Sequence, residues 1–532
     1  MRLVQQPHLA DISLVVRTIA ALALASTAVY LMRLNDVAGL MVDDAYYVLL
    51  GKALAEGDGY RLISSGTTPI LPLYPPGLPF LLSLVFRIAP QFPENVWLLK
   101  SLSVAAMFAA GCLSYAYFRE RRLERDLAAL AALAITTIPA FVFLATSTVM
   151  SECVYTLTQL GVVYVLQRSA RGTSSRSAAV AAGAGLLGAG AVLLRSAGIA
   201  VILAGIVWMV KERRWRQAAA FAAASVLCLL PWFLYARAHA SSAEARASHG
   251  GAVAYSYVEQ VRMRWAGAPV SGTITLADVP DRLMTNAVDV FGRAVGGMFA
   301  PVMFRGPEES GEEVVSLGGV IGIMRGSMGS AGATVAISLA LSAVVLAGFV
   351  AAVRRGASVA EFLVPVALAI ILIWPFWSFR FLLPLAPFLF FYFVTGLNLL
   401  ASPRVAHVIV LVLLGLNLFD HARYLLPATG SESAERRPWL AQAREVDDAL
   451  AWIDGNVSSG IVATTNPALV YLRTGRKTVS FDGSIDDLRL RTGGNVRYIA
   501  CFVQVQAPSI GVVTIYKTPS RFWIAKMETA TD

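Results

Sequence analysis

The sequence predicts an α-helical polytopic membrane protein that carries a small α/β domain at its C-terminus, and three observations support this reading. Hydrophobic residues make up 57% of the 532 positions and charged residues only 15%, with a mean hydropathy of +0.63, which leaves too little polar surface for a soluble chain of this size. Apolar runs of roughly 17 to 25 residues, the length that crosses a bilayer, recur through residues 1–424. Basic residues gather between these runs rather than along them. The net charge of +10 therefore orients the chain in a membrane and does not argue for nucleic acid.

The candidate spans are residues 13–33, 96–118, 127–146, 149–167, 177–194, 198–210, 217–237, 333–353, 360–378, 381–400 and 405–424. These eleven fall at the lower end of a range of about 11–13 transmembrane helices. Residues 77–90 are apolar but short and flanked by prolines and Arg87, so they read as a helix lying at the interface. If they crossed, every downstream segment would change sides. Positive charge decides between the two. With the N-terminus inside and 77–90 not crossing, the short inner connections hold Arg119, Arg121, Arg122, Arg125, Arg168, Arg171, Arg176, Lys211, Arg213, Arg214, Arg216, Arg354, Arg355 and Arg404, against Arg195 and Arg380 in the short outer ones.

This topology puts three long segments outside the cytoplasm: residues 34–95, 238–332 and 425–532. Residues 1–424 then form the membrane domain and 425–532 the outer domain. In the second segment, Arg282–Phe304 reads as an amphipathic helix over the membrane face, and Gly306–Gly319 as a mobile Gly/Glu-rich loop. In the third, Leu440, Ala443, Val446, Leu450 and Ile453 recur at helical spacing. Strand-like runs follow at Ile461–Thr464, Thr478–Phe481, Val496–Val503 and Val512–Tyr516. The first apolar run lacks a small-residue cleavage site and reads as a retained helix. Cys112, Cys153 and Cys228 fall in spans and Cys501 stands alone outside, so no disulfide framework is implied. Five scattered histidines argue against a zinc site.

Asp43 and Asp44 stand side by side just past the first span. An acidic pair at the lip of a bilayer is costly to keep. It suits deprotonation of a hydroxyl, coordination of a cation or stabilisation of developing positive charge. Lys100, Glu152, Arg195 and Arg380 also fall at span ends, all on the same side as the acids. Convergence of acids and bases there is what an anionic, lipid-embedded substrate requires. Structural readings stand beside these. The acids can cap a helix beginning near Ala45, Glu152 and Arg195 can pair as a bridge, and Arg380 and Lys100 can snorkel to headgroups. Tyr74-Pro75-Pro76-Gly77 makes a rigid turn.

Several motifs taken together carry a resemblance: Asp43-Asp44-Ala45-Tyr46-Tyr47, the run from Ala53 to Tyr60, Tyr74-Pro75-Pro76-Gly77-Leu78-Pro79, Ser151-Glu152, Leu194-Arg195 and Arg380-Phe381-Leu382-Leu383-Pro384-Leu385. The chain resembles the polyprenyl-phosphate-sugar-dependent glycosyltransferases of the GT-C class, and within it family 39, the protein O-mannosyltransferases and bacterial aminoarabinose transferases. Ala463 to Arg476 is similar to the C-terminal domain of bacterial members. One departure is Leu73, where bacterial relatives often carry a basic residue.

The resemblance implies a GT-C type membrane fold and a sugar donor on a polyprenyl phosphate. It also implies inverting transfer to an acceptor outside the cytoplasm, at the inner (plasma) membrane of a cell envelope. Asp43 would be the general base, and Asp44 would orient the acceptor or a cation. Arg380, Arg61, Lys100 or Arg195 would hold the donor phosphate, with Tyr46, Tyr60, Tyr74 and Glu152 positioning substrate. No cofactor is expected, and a divalent cation is open but not favoured. The acceptor, whether glycan, lipid or protein, and the sugar itself are not legible. A transporter or flippase of a lipid-linked anion is the alternative, since it too needs outward charges among helices. Against it, the sequence shows no internal repeat and no matching broken helices.

Overall fold

The computed structural model describes residues 9–65, 71, 74–169, 177–266, 272–301, 328–376, 378–426, 437–457, 460–503, 511–520 and 522–528. Its membrane part opens with α1 (Leu9–Arg33), then α2 (Asp43–Glu56) and α3 (Gly77–Ile88), and continues through α4 (Val96–Glu120), α5 (Arg125–Thr136), α6 (Pro139–Thr146), α7 (Glu152–Ser169), α8 (Ser177–Leu194), α9 (Ile199–Lys211) and α10 (Trp215–Ala238). The second long loop contributes α11 (Ala243–His249), α12 (Tyr257–Arg262), α13 (Val279–Asp289), a π-helical turn (Val290–Ala294) and α14 (Val295–Phe299). The membrane part ends with α15 (Met328–Gly356), α16 (Val359–Ile373), the single turn α17 (Phe379–Leu382), α18 (Ala386–Leu400) and α19 (Pro403–Leu425).

Each of the eleven apolar runs is helical over most of its length. Among the described residues six helices are long and apolar enough to cross a membrane, and a bent pair makes up to seven. Three other runs fall short for visible reasons. The helix α9 has 13 residues and α16 has 15, while α7 mixes Glu152, Gln159, Gln167 and Arg168 among its apolar residues. The chain is a multi-pass membrane protein. The segment 77–90 forms a helix of only 12 residues, strongly amphipathic, packed against α2.

One expected span is corrected. Residues 127–146 form not one helix but two, α5 and α6, bent by 50°. The cause is Pro139, which has no N–H to continue the ladder. The carbonyls freed near the bend are taken by neighbours: Thr136 O accepts from the Tyr30 hydroxyl at 2.8 Å, Ala134 O from Asn417 Nδ2 at 3.0 Å, and Thr137 O pairs with His421 Nε2 at 2.9 Å. A broken helix in hydrocarbon persists only where side chains re-satisfy its backbone in this way. Elsewhere close packing closes the bundle. A Cβ at Gly348 or Gly396 would collide with Tyr392 O or Val344 O across the α15–α18 contact, the small-residue approach that membrane helices use in place of a hydrophobic drive. At the far end from the acidic pair, Arg121 forks onto both oxygens of buried Glu361 at 3.2 and 2.8 Å, and Tyr392 donates to the same carboxylate at 3.0 Å.

The C-terminal domain contains α20 (Pro438–Asn456), β1 (Ile461–Thr464), α21 (Pro467–Thr474), β2 (Thr478–Ser480), α22 (Ile485–Thr492), β3 (Val496–Cys501), β4 (Val512–Lys517) and β5 (Trp523–Met527). Its sheet has the order β2-β1-β3-β5-β4, with β1 parallel to β2 and β3, and β5 antiparallel to β3 and β4. In register, Ala463 faces Val479 and Ile499, and Ile499 faces Ala525. The four strand-like runs are strands, two of them trimmed and the last one residue longer, and β5 joins them.

This domain sits on the first long loop. Thr478 N donates to Ser64 O at 2.8 Å, and Ser65 extends the sheet edge beyond β2 by a parallel bridge. Lys477 Nζ donates to Ile63 O at 2.7 Å, and the Trp439 indole donates to Ser147 O at 3.3 Å. In the second long loop the expected helix from Arg282 to Phe304 is observed from Val279 to Phe299 as α13, the π turn and α14. Phe304 and Gly306–Gly319 lie outside the described residues.

Candidate active site

The site assembles where α2 begins. Met41, Val42 and Asp43 form a tight γ-turn. Asp43 N donates to Met41 O at 2.7 Å, and Val42 between them holds φ 64° and ψ −58°. This conformation is rare and strained, the more so for a β-branched residue. Strain of this kind persists only where its surroundings over-determine it, and here it fixes the direction in which Asp43 leaves the backbone. Neither acid caps the helix from the N-cap position, which is Val42.

Asp43 faces the charged cluster. Its Oδ1 accepts from the Tyr74 hydroxyl at 2.7 Å and its Oδ2 from Arg380 Nη2 at 2.7 Å. Arg380 does not snorkel. Its side chain is 13% exposed, and its Nε lies 3.2 Å from Glu152 Oε1. The same Glu152 oxygen lies 2.7 Å from Arg195 Nη1, which also donates to Ser151 Oγ at 3.1 Å. Ser151 Oγ is 3.3 Å from the Tyr47 hydroxyl. Both guanidinium groups lie 5.3 Å from the ring centre of Phe381. Glu152 and Arg195 are thus paired, as the bridge reading expects, but the bridge includes Arg380 and through it Asp43. Two carboxylates and two guanidinium groups balance in a largely buried cluster, where charge interactions are strong.

The tyrosines line this cluster. Tyr46 and Tyr47 pack against the Tyr74 ring at 5.9 and 4.9 Å. Tyr60 donates to Tyr74 O at 2.7 Å and meets Trp232 edge-on at 5.3 Å. Burial and the Asp43 carboxylate hold the Tyr74 hydroxyl well above its ordinary pKa, so it stays a proton donor. Tyr257 arrives from α12, and burial raises its hydroxyl too. Ser151, Tyr47 and Tyr257 were not predicted as site residues. The Ser151-Glu152 and Tyr46-Tyr47 motifs held a signal for the first two, and the second long loop held none for the third.

Three residues expected at the site are placed elsewhere. Asp44 is fully buried and turned away from Asp43, because neighbouring residues on a helix diverge by about 100°. Its Oδ2 accepts from Gly39 N at 2.7 Å and its Oδ1 from Ala45 N at 3.0 Å. Gly39 has φ +92°, and a Cβ there would meet Leu469 of α21 at 2.7 Å. Gly39 O accepts from Asn466 Nδ2 at 2.7 Å. The buried carboxylate thus locks the turn before Asp43 to the C-terminal domain. Lys100 is buried and donates to Asn35 O, Asn35 Oδ1 and Thr146 O at 2.7, 3.1 and 2.8 Å, so it ties the loop to the α6 end rather than facing the cluster. Arg61 is exposed and lies 3.7 Å from Asp58. Leu73 lies outside the described residues. Among the described residues no three His, Cys, Asp or Glu side chains converge as metal ligands.

Burial pushes Asp44 up to about 6, against the lowering effect of its two backbone donors. A carboxyl with a raised folded pKa takes up its proton in the folded state first, so its burden on stability is greatest above pH 6 and is relieved as pH falls towards its ordinary value. Thermal unfolding in detergent therefore tests its charge state. Between pH 6 and pH 4 the midpoint of the wild type should move upward relative to Asp44→Asn. A difference that does not vary with pH would show that Asp44 does not titrate in this window.

No protein-family model matches the chain, and no curated protein matches it. Solved structures do. The archaeal oligosaccharyltransferase AglB from Archaeoglobus fulgidus, in complex with an inhibitory peptide and a dolichol-phosphate, aligns over 93% of this chain and 70% of its own at 14% identity, with a TM-score of 0.54. The oligosaccharyltransferase of that organism tethered with an acceptor peptide aligns over 91% of this chain and 68% of its own at 15% identity and a TM-score of 0.53. ArnT from Cupriavidus metallidurans bound to undecaprenyl phosphate aligns over 96% and 98% at 12% identity, with a TM-score of 0.48. At these identities the likeness is one of architecture: the chain has the GT-C membrane fold.

Proposed function

We propose that the chain is a glycosyltransferase that moves a sugar from a polyprenyl-phosphate-linked donor to an acceptor hydroxyl with inversion. The observation that carries this reading is the seating of Asp43 between the Tyr74 hydroxyl and Arg380, at the head of a buried ion cluster beside the C-terminal domain. The fold supports it, since AglB, which shares that fold, is solved with a dolichol-phosphate. The charge bias of the connections favours an extracytoplasmic site in the inner (plasma) membrane.

In the proposed step the acceptor oxygen attacks the anomeric carbon and bonds to it while the bond from that carbon to the phosphate oxygen breaks. Asp43 takes the hydroxyl proton, general-base help of about 10²–10⁴-fold. The polyprenyl phosphate leaves with added negative charge. Arg380, with Arg195 behind it across Glu152, is the cation placed to meet that charge. Arg380 is shared, because the donor phosphate and Asp43 compete for one guanidinium. Phosphate binding would draw it from Asp43 and leave the carboxylate a stronger base. Tyr46, Tyr60 and Tyr74 shape the wall around this exchange, and no metal or cofactor enters it.

The test is turnover in detergent. Purified protein given a panel of polyprenyl-phosphate sugars and an envelope extract as acceptor source should release free polyprenyl phosphate in step with loss of the donor. A flippase moves its lipid without breaking a bond, so it releases no free polyprenyl phosphate and shows its activity only across a sealed bilayer. No release from any donor, together with transport in proteoliposomes, would replace the transferase reading with the flippase one.

A further inference from the structure

The helix α13 is built inside out. Arg282, Asn286 and Asp289, with Arg293 in the π turn that follows, recur at helical spacing along one stripe, and each engages the protein. Arg282 Nη1 donates to Val261 O at 2.6 Å and to Ile373 O at 3.5 Å. Asn286 Nδ2 donates to Leu372 O at 2.7 Å and Trp374 O at 2.9 Å. Asp289 Oδ2 accepts from Ser378 N at 3.3 Å and from the Ser378 hydroxyl, and Asp289 Oδ1 lies 3.6 Å from Arg293 Nη1. Met284 and Val288, by contrast, are 68% and 57% exposed. A helix on a soluble surface shows the opposite pattern. The polar face of α13 is committed to the chain, and its apolar face is free to meet lipid.

The polar face holds one short turn at both ends. The helix α16 stops at Ile373, and its last carbonyls have no partner within the helix. The Asn286 amide takes two carbonyls there. After the turn, Ser378 is the N-cap of α17 and makes no side-chain cap of its own. Asp289 accepts both its N–H and its hydroxyl, and such bonds to an ionised carboxylate are roughly twice as strong as neutral ones. Arg380 is the second residue of α17. The direction in which its guanidinium leaves the backbone is thus set from outside the helices that form the ion cluster.

We propose that Asn286 and Asp289 are positioning residues for Arg380, clamping the turn so that one guanidinium reaches Asp43, Glu152 and the donor phosphate. The proposal rests on the transferase reading for its consequence in catalysis but not for its consequence in the fold. Displacement of a reacting group by about 1 Å can cost on the order of 10²-fold.

The experiment uses full-length protein in detergent and the variants Asp289→Ala, Asp289→Asn and Asn286→Ala, each alone and combined with Arg380→Gln. Amide exchange at Ser378, Phe379 and Arg380 is measured alongside turnover. Asp289→Ala should speed exchange at these amides and lower kcat by roughly tenfold to a hundredfold, and Asp289→Asn should recover most of both. Combined with Arg380→Gln, the same change should lower kcat no further, because its effect passes through that arginine. A loss that multiplies in both backgrounds, or Asp289→Ala with wild-type kcat and wild-type exchange, would overturn the proposal. If Asp289→Ala does not fold, Asn286→Ala still decides it by the same non-additivity with Arg380→Gln. Faster exchange in the variants of a wild type that releases no polyprenyl phosphate would uphold the clamp and reject the transferase reading.

Discussion

Asp43→Asn should insert, fold and bind donor lipid while losing turnover by at least about a hundredfold. The substitution nearly preserves volume and leaves an oxygen to accept from the Tyr74 hydroxyl, so the wall of the site should stand. It removes the only proposed proton acceptor. It also turns an amide towards Arg380, which remains anchored by Glu152 at 3.2 Å. A guanidinium freed of its carboxylate is more available to phosphate, so donor Kd should be unchanged or tighter. This split between binding and kcat marks a base, because loss of a structural latch would weaken both. The measurement is kcat together with donor Kd at matched expression. Wild-type turnover in Asp43→Asn would reduce Asp43 to a counter-ion of Arg380.

The membrane part was legible because each span is a long apolar run, and the residues that meet in the site were legible because charge is rare in such runs. Asp43, Glu152, Arg195 and Arg380 stood out for that reason. What composition could not supply was direction. Asp43 and Asp44 look equivalent in the sequence, yet one helical step separates a residue facing the cluster from one buried against the backbone of Gly39. Lys100 has the right type and depth for a phosphate ligand but spends its three donors on Asn35 and Thr146. The bend at Pro139 was hidden inside an unbroken apolar run, and only the proline itself announced it.

The long loops and the C-terminal domain were harder. They fold onto other parts of the chain, so local periodicity carries little of the pattern. In the C-terminal domain, α21 is bounded by Asn466 as N-cap, Pro467 at the first turn and Gly475 in the left-handed conformation. These are legible stop and start signals that the strand-like runs around them overshadowed. The strand β5 was missed because Lys526 interrupts a five-residue run that becomes a strand only by pairing between β3 and β4. Asn286 and Asp289 had no signal at all, and nothing marked Asn466 as a partner of Gly39. Their roles are hydrogen bonds to backbone more than eighty residues away, and such partners are set by the fold.

Arg380→Gln should abolish most turnover, whereas Arg380→Lys should keep a measurable part of it. The argument starts from geometry. Nη2 of Arg380 donates to Asp43 at 2.7 Å while its Nε lies 3.2 Å from Glu152, so one guanidinium spans both carboxylates. A lysine offers the same charge at a single point and cannot span both carboxylates. It can still answer the negative charge that builds on the departing phosphate, and charge in a dry site is the larger effect. Glutamine supplies neither charge nor fork. It also leaves Glu152, which is fully buried, with Arg195 as its remaining cation within the cluster. Removing one partner of a buried pair costs about 3–5 kcal/mol when no other cation remains, so part of the loss could come from the fold. Thermal unfolding of each variant separates the two. A kcat loss in Arg380→Gln at an unchanged midpoint places the effect in the transition state. A snorkelling arginine would tolerate both changes, so Arg380→Gln with wild-type kcat and donor KM would remove Arg380 from the site and leave Arg195 as the guanidinium to test next.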